Sequence, residues 1–394
     1  MPIPITKPCY DEAELEALRG PVTSGWLVQG PQVAAFERAF AAFTGSPFAR
    51  AASNCTTALH LALDGLGLGP GDQVVVPAFT YVASANAVVY TGAEVVFCDI
   101  DLATFNLDVA KLEALLEADA GRRIKALMPV HLFGLCADMD RILALAERYG
   151  LKVVEDAACG LGARIRGQHA GTFGHAGCFS FHPRKSVTTG EGGMLTTADP
   201  ALDALVGSLR DHGAGKSDLQ RHVEHGGSLL PDFPRVGYNY RMTDLQGALG
   251  VAQMAKVERI LAGRASVAAR YDAALASLPF LAPPLTPEGY THGYQSYVCL
   301  YTGGETVDPL DRAQVDRLNR RRNALMAGLE LEGIATRQGT HAVHTLGAHR
   351  HPDEAFPVAY AADRLSLALP LFVGMTEAET AQVIEALGRL DREL

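Results

Sequence analysis

The segment from residue 177 to residue 193 reads GCFSFHPRKSVTTGEGG. Its first residues alternate apolar and polar side chains, which predicts the end of a strand, and MLTT at 194–197 predicts the next strand. Lys185 therefore lies between two strands in a loop of small residues, where glycines let the backbone approach a ligand closely. An amine in such a site can have a lowered pKa and can attack a carbonyl carbon, forming a Schiff base.

A buried strand that ends in two acidic residues precedes this loop. Residues 151–158 read LKVVEDAA, and the apolar run stops at Glu155 and Asp156. Such a pattern is typical of the carboxyl end of a parallel strand, where open α/β sheets place their ligands. Pyridoxal phosphate needs a lysine for its aldehyde and a carboxylate that keeps its ring nitrogen protonated. Lys185 and Asp156 are therefore the candidate catalytic pair for this cofactor.

The stretch 51–63, AASNCTTALHLAL, is a candidate phosphate site. The run 58–63 predicts a buried helix, and residues 53–57 form its small-residue start. Free N–H groups and the positive dipole end at a helix start bind phosphate, and the hydroxyls of Thr56 and Thr57 add donors. A start rich in Ser and Thr is more often a plain cap, so this interpretation depends on its combination with Asp156 and Lys185.

Five motifs together resemble the nucleotide-sugar aminotransferases (DegT/StrS type), which belong to the aspartate aminotransferase superfamily of fold type I. They are SNCTTALHLAL (53–63), VPAFTYVASAN (76–86), EDAA (155–158), FSFHPRKSVTTGEGG (179–193) and GYNYRMTDLQGALG (237–250). The similarity extends from about Gly25 to the C-terminal helix. It implies transfer of an amino group from an amino acid, with glutamate the expected donor, to a keto group of a nucleotide-linked deoxysugar. Such reactions serve polysaccharide or antibiotic biosynthesis.

The resemblance also implies roles for individual residues. Tyr81 would stack on the cofactor ring, although the sequence alone favours core packing, and Ser180 would join the phosphate site. Asn239 would reach the cofactor phosphate of the neighbouring subunit, which implies a homodimer with shared active sites. Cys159 departs from the pattern, because many relatives have Gln or His here in contact with the cofactor ring oxygen or the substrate. A thiol is a weak donor, so that cofactor contact is left open.

Candidates for the substrate site are spread over the whole chain. These candidates are Trp26, His182, Tyr294, Arg337 and His341. Trp26 is the only tryptophan, and a packing anchor is its alternative role; for Tyr294, Arg337 and His341 the alternative is a surface or packing position.

From the phosphate-binding stretch onward, strands and helices alternate. This order predicts an α/β fold with a mostly parallel sheet flanked by helices and right-handed crossovers. We expect a large cofactor-binding domain at 1–245 and a smaller α+β domain at 246–394. A first helix is expected to end at Gly20-Pro21, and one long helix, 243–275, to bridge the domains. His131, which follows a strand, is interpreted as a hydrogen-bonded structural residue.

Composition limits the class of partner. The chain has 394 residues, with 44 acidic against 34 basic side chains, which argues against binding nucleic acid or an anionic membrane. Seven scattered cysteines without a C-x-x-C motif predict reduced thiols in the cytoplasm. We see neither a signal peptide nor an apolar run long enough to span a membrane. The histidines of the long segment 210–239, including His222 and His225, lack metal-ligand spacing, so no metal site is expected.

Two alternatives share the fold. A sugar dehydratase of the same family carries His at the lysine position, so Lys185 argues against that reaction. A regulator without catalysis would bind cofactor or nucleotide sugar only, and the presence of both Asp156 and Lys185 argues against it.

Overall fold

The computed structural model describes residues 2–216 and 232–394. The structure describes the segment 210–239 only at its two ends, and His222 and His225 lie outside the described residues. Within the described ranges, no helix is both long enough and apolar enough to cross a membrane.

The α-helices of the described residues are α1 (Glu12–Ser24), α2 (Pro31–Thr44), α3 (Cys55–Gly65), α4 (Val82–Tyr90), α5 (Val109–Ala118), α6 (Met139–Tyr149), α7 (Pro200–Leu209), α8 (Asp244–Met254), α9 (Val257–Leu275), α10 (Arg312–Leu331), α11 (Pro357–Leu365) and α12 (Glu377–Glu393). The strands are β1 (Phe48–Ala52), β2 (Gln73–Pro77), β3 (Phe79–Thr80), β4 (Glu94–Cys98), β5 (Ile124–Leu127), β6 (Lys152–Asp156), β7 (Arg164–Ile165), β8 (Gln168–His169), β9 (Ala176–Ser180), β10 (Gly193–Thr197), β11 (Leu281–Ala282), β12 (Tyr290–Thr291), β13 (Tyr297–Tyr301), β14 (His341–Ala342) and β15 (Ser366–Leu369).

A seven-stranded sheet in the order β1-β10-β9-β6-β5-β2-β4 forms the centre of the fold. The five strands from β9 to β4 pair in parallel, whereas β10 pairs antiparallel with both β1 and β9. The inner strands are runs of apolar residues that are buried on both faces, as helices on the two sides of a parallel sheet require. The predicted α/β fold with a mostly parallel sheet is confirmed.

A second, antiparallel sheet of three strands, β11-β13-β15, lies in the C-terminal part of the chain. Its core also includes Ile3, which forms a parallel bridge with Ile334. The beginning of the chain therefore packs together with its C-terminal part. We propose that the division into a large and a small domain still falls near residue 245.

The first helix differs from its prediction. It does not end at Gly20-Pro21 but continues through Pro21 to Ser24. Pro21 is buried, and the last turn is closed by Gly25, which adopts a left-handed φ of 75° and donates its N–H to the Pro21 carbonyl. Tertiary packing of the proline ring and this cap outweigh the local cost of proline inside a helix.

The predicted single helix over 243–275 is also wrong, because two helices, α8 and α9, meet at Lys256. This residue leaves the helical region with a φ of −124°. Its amine lies 2.7 Å from a carboxylate oxygen of buried Glu14 and 3.1 Å from Asp11, both near the start of α1. This ion pair spans most of the chain in sequence, so a local pattern does not reveal the break.

His169 makes the fold sensitive to acid. It is 1% exposed, its Nε2 accepts the Gly162 N–H, and its Nδ1 donates to the Ala170 carbonyl. Burial lowers the pKa of His169 to about 4. The unfolded chain therefore binds a proton more readily, so this contribution is fully present above the unfolded value of about 6.5 and is lost as the pH falls toward 4.

We expect the free energy of unfolding to fall by roughly 2 to 3 kcal/mol between pH 7.5 and pH 4.5 on account of His169 alone. Urea unfolding at both pH values should show a smaller decrease for His169→Gln than for the unchanged chain. His351→Gln, at an exposed position, serves as the control and should keep the full decrease. Equal decreases in all three proteins would contradict this assignment.

Candidate active site

The carboxyl ends of several strands meet at one edge of the central sheet. Asp156 ends β6 and Ser180 ends the parallel neighbour β9. Because β10 runs in the opposite direction, its first residue, Gly193, lies beside both Ser180 and Ala52, the last residue of β1. This edge is where open α/β sheets bind ligands, and the predicted lysine loop and phosphate-binding stretch both start from it.

Lys185 follows β9 in a turn in which its N–H donates to the His182 carbonyl at 2.8 Å. Its Nζ donates to the sulfur of Cys159 at 3.1 Å. Burial lowers the pKa of the Lys185 amine, but the neighbouring Cys159, Cys55 and Asp156 together raise it by more, so that its pKa lies above the ordinary lysine value. The expected lowered pKa is therefore wrong. The amine is protonated at neutral pH and must release a proton before it can attack a carbonyl carbon.

Asp156 is almost completely buried, and both of its carboxylate oxygens accept hydrogen bonds. Oδ1 accepts the Ala158 N–H at 3.0 Å, and Oδ2 accepts the hydroxyl of Ser84 at 2.7 Å. The carboxylate is therefore held in one orientation at the end of β6.

The neighbouring acid, Glu155, points away from this edge and takes part in a buried hydrogen-bond network. One of its oxygens lies 2.7 Å from Nε2 of His131, and both side chains are completely buried. His131 Nδ1 accepts the Ala137 N–H at 3.1 Å, so Nε2 carries the proton that His131 donates to Glu155. Glu155 also accepts three backbone N–H groups, from residues 171, 173 and 174. The structural interpretation of His131 is thus confirmed.

The predicted phosphate site is the N-terminus of α3, capped by Asn54. Thr57 completes the cap: its N–H donates to Asn54 Oδ1 at 2.9 Å and its hydroxyl donates to the Asn54 carbonyl at 2.8 Å. Thr57 can therefore donate to a phosphate only by giving up a capping bond. Thr56 forms no side-chain hydrogen bond within the described ranges, which leaves it the better candidate donor.

Glycine at position 193 permits the close approach of β10 to this helix start. A Cβ on Gly193 would lie 2.3 Å from the Asn54 carbonyl oxygen, a clash that backbone atoms could not relieve. On β9, Ser180 is the residue that pairs with Gly193. Its half-buried hydroxyl accepts the His182 N–H at 3.4 Å.

Tyr81 directly follows β3 and caps α4 with its backbone. Its side chain is 64% exposed, so packing in the core, the alternative from sequence alone, is wrong. β3 pairs with β14, and His341 lies opposite Thr80, next to Tyr81. The structure therefore brings exposed His341 beside the predicted stacking residue.

Asn239 is exposed and lies between two aromatic residues that stack on each other. The rings of Tyr238 and Tyr240 are 4.8 Å apart and nearly parallel, and Tyr240 also contacts His60 on α3. The Tyr240 carbonyl accepts the N–H of Ser53 at 2.9 Å. This segment is thus anchored beside the start of α3 while the Asn239 side chain faces outward.

The remaining substrate candidates lie in different places. Half-buried Tyr294 stacks on His292 at 4.2 Å, and exposed Arg337 donates to the Thr336 carbonyl. His182 lies on the lysine loop, where burial lowers its pKa. Trp26 lies beside Gly30 at the start of α2: a Cβ on Gly30 would be 2.0 Å from its Nε1.

Two contacts at this site were not predicted from the sequence. Ser84 holds Asp156, and Gln295 donates its amide to the carbonyl of Arg184, the residue before Lys185, at 2.8 Å. Ser84 follows Tyr81 by three positions, a spacing that places both residues on one turn of a helix. The sequence could therefore have indicated that Ser84 lies near the predicted site. Gln295 reaches the loop from the distant C-terminal part, and no local pattern indicates it.

The chain is similar to known proteins over nearly its whole length. The DegT/DnrJ/EryC1/StrS aminotransferase family matches residues 8–388. GDP-perosamine synthase of Caulobacter vibrioides is 39% identical over 98% of both chains, and the spore coat polysaccharide biosynthesis protein SpsC of Bacillus subtilis is 36% identical over 98% of this chain and 96% of its own. A putative sugar aminotransferase of Streptococcus pneumoniae, Spr1654 in its PMP-form, superposes with a TM-score of 0.89 at 28% identity over 99% of both chains. This chain belongs to the DegT/DnrJ/EryC1/StrS aminotransferase family.

Proposed function

We propose that the protein uses pyridoxal phosphate to transfer an amino group from an amino acid to a keto group of a nucleotide-linked deoxysugar. One observation carries this proposal: Lys185, the oriented carboxylate of Asp156 and the N-terminus of α3 converge at one edge of the sheet. When bound, the cofactor supplies an electron sink that lets an amino group pass between carbon atoms.

The residues present fit this cofactor. Asp156 would hold the proton of the ring nitrogen, and the N–H groups at the start of α3, with Thr56, would bind the phosphate. Exposed Tyr81 offers a ring face that no core side chain covers. Gly193 leaves room where any side chain would meet the Asn54 carbonyl.

Lys185 has two tasks in this proposal. Its Nζ would bind the aldehyde carbon of the cofactor and, once displaced by the amino donor, would move a proton between the α-carbon of the donor and the C4′ carbon of the cofactor. Both tasks need the uncharged amine, whereas Cys159 and Asp156 favour the charged one. Lys185 would therefore have to give up this proton when the cofactor binds.

The substrate class rests on the relatives. The similarity to a GDP-perosamine synthase supports a nucleotide sugar, so GDP-linked keto sugars are the first to test, with glutamate as donor. Tyr294, Arg337 and His341 would contact the sugar or nucleotide from the C-terminal part, and His182 from the lysine loop. Trp26 would contact the sugar from the start of α2.

We further propose a homodimer in which Asn239 contacts the phosphate bound by the partner subunit. Its exposed side chain, on a segment anchored by Tyr238 and Tyr240, supports a contact outside its own subunit. All seven cysteines are free, which supports a reducing compartment, the cytoplasm.

Asn239→Ala should weaken cofactor affinity by roughly 10- to 100-fold, the value of one hydrogen bond to a charged group. Equilibrium titration with pyridoxal phosphate measures this loss. Mixed oligomers of Asn239→Ala and Lys185→Ala subunits should regain activity at low cofactor concentration, because one of the two sites then has both residues. Unchanged affinity, or no recovery on mixing, would contradict the shared site.

An absorption spectrum of the purified protein tests the proposed function. With pyridoxal phosphate it should show the band of the lysine-bound cofactor, which glutamate should remove and a nucleotide-linked keto sugar should restore. A protein that never shows this band would defeat the aminotransferase proposal and favour a regulator. Loss of a water molecule from the sugar without uptake of an amine would instead indicate a dehydratase.

A further inference from the structure

Ser84 lies in the first turn of α4 and is completely buried against the end of β6. Its Oγ is 2.7 Å from Asp156 Oδ2, 3.0 Å from Thr80 Oγ1 and 3.1 Å from the Tyr81 carbonyl oxygen. The hydroxyl has a single proton to share among these three neighbours, and an ionised carboxylate can only accept.

These distances determine the direction of the hydrogen bonds. The contact with Asp156 is the shortest of the three and is assisted by charge, so Ser84 donates its proton there. The hydroxyl of Thr80, which has its own proton, then donates to Ser84. The result is a directed hydrogen-bond chain from Thr80 through Ser84 to Asp156, all three almost completely buried.

This chain of hydrogen bonds influences which group holds the proton between Asp156 and the cofactor. If Asp156 pairs with the cofactor ring nitrogen, the two groups compete for the proton between them. Donors that bind the carboxylate from behind, Ser84 at Oδ2 and the Ala158 N–H at Oδ1, stabilise its charged form. The proton then stays on the ring nitrogen, where the electron sink requires it.

Resting on the proposed function, we infer that Ser84 is a positioning residue of the reaction: its hydroxyl orients Asp156 and keeps the ring nitrogen protonated. The Ser84 N–H also donates to the Tyr81 carbonyl at 3.1 Å. The first turn of α4 therefore links Tyr81, whose ring is expected to stack on the cofactor, to Asp156, whose carboxylate is expected at the ring nitrogen of the cofactor. Removal of the hydroxyl leaves this backbone bond in place.

The test uses full-length protein loaded with pyridoxamine phosphate that carries an isotope-labelled ring nitrogen. The NMR shift of that nitrogen reports its protonation directly, independently of turnover. In Ser84→Ala the protonated fraction should fall, and kcat should fall about tenfold, as for a lost hydrogen bond to a charged group, with KM for the amino donor unchanged. Ser84→Thr should restore both values.

Thr44→Ala is the matched control. Thr44 is also buried, and its hydroxyl donates only to carbonyls of its own helix, Phe40 and Ala41, so its loss should lower stability without moving the nitrogen shift. Ser84→Cys, a weaker donor of similar shape, should give an intermediate shift and serves if Ser84→Ala does not fold.

The outcomes separate the two proposals. A wild-type protein that binds no cofactor would overturn the proposed function itself. A wild-type protein that binds and turns over, with nitrogen shift and kcat unchanged in Ser84→Ala and in Ser84→Cys, would overturn only the role of Ser84. A fall in kcat without a change in the shift would likewise overturn it, because Ser84 would then act only through stability.

Discussion

Lys185→Ala is expected to abolish turnover while pyridoxamine phosphate stays bound. The variant loses both the amine that binds the cofactor aldehyde and the base that moves the proton, so we expect a decrease of at least about 10⁴-fold in kcat. The phosphate and ring contacts do not involve Lys185, so binding of pyridoxamine phosphate should persist. Single-turnover and steady-state assays, with a parallel binding titration, measure both properties.

Lys152→Ala is the control for this change. Lys152 is an exposed lysine at the opposite end of β6 from Asp156, so its removal should leave both kcat and binding unchanged. Repeated turnover by Lys185→Ala, above the rate of free cofactor in solution, would refute the assigned role of the lysine.

Asp156→Asn is expected to have the second largest effect. The amide oxygen can still accept the Ala158 N–H, and the amide NH2 can donate to the Ser84 oxygen once that hydroxyl turns to the Tyr81 carbonyl, so the fold should be preserved. A neutral amide does not stabilise a charged ring nitrogen, and we expect kcat to fall roughly 10²- to 10³-fold. Asp140→Asn, at an exposed helix position, should leave kcat unchanged. Activity of Asp156→Asn within about twofold of the unchanged protein would rule out an electrostatic role.

The sheet and the pairing of Asp156 with the lysine loop were predictable because both depend on local patterns. Apolar runs alternating with helical segments indicate parallel strands, and parallel neighbours end at the same edge. The proximity of the end of β6 to the loop after β9 could therefore be predicted without knowing any distant contact.

The errors arise where distant residues decide the local structure. The break between α8 and α9 depends on the ion pair of Lys256 with Glu14, which lies far away in sequence. The raised pKa of Lys185 depends on Cys159, a residue noted for its departure from the family pattern but not placed beside the amine. Periodicity reports only which face of an element is apolar, and it carries no information on such pairs.

The position of β10 in the sheet has a consequence for biosynthesis of the chain. Among the strands that the structure describes, β1 pairs only with β10, and Ala52 meets Gly193, which the ribosome adds 141 positions later. At synthesis rates of ~5–20 residues per second, β1 waits roughly 7 to 28 seconds for its partner. The start of α3 directly follows β1, so the phosphate-binding end of that helix is held in place only once β10 has emerged. Capture of the cofactor is therefore expected late in translation or after release, and a nascent chain stalled before residue 193 should not retain it.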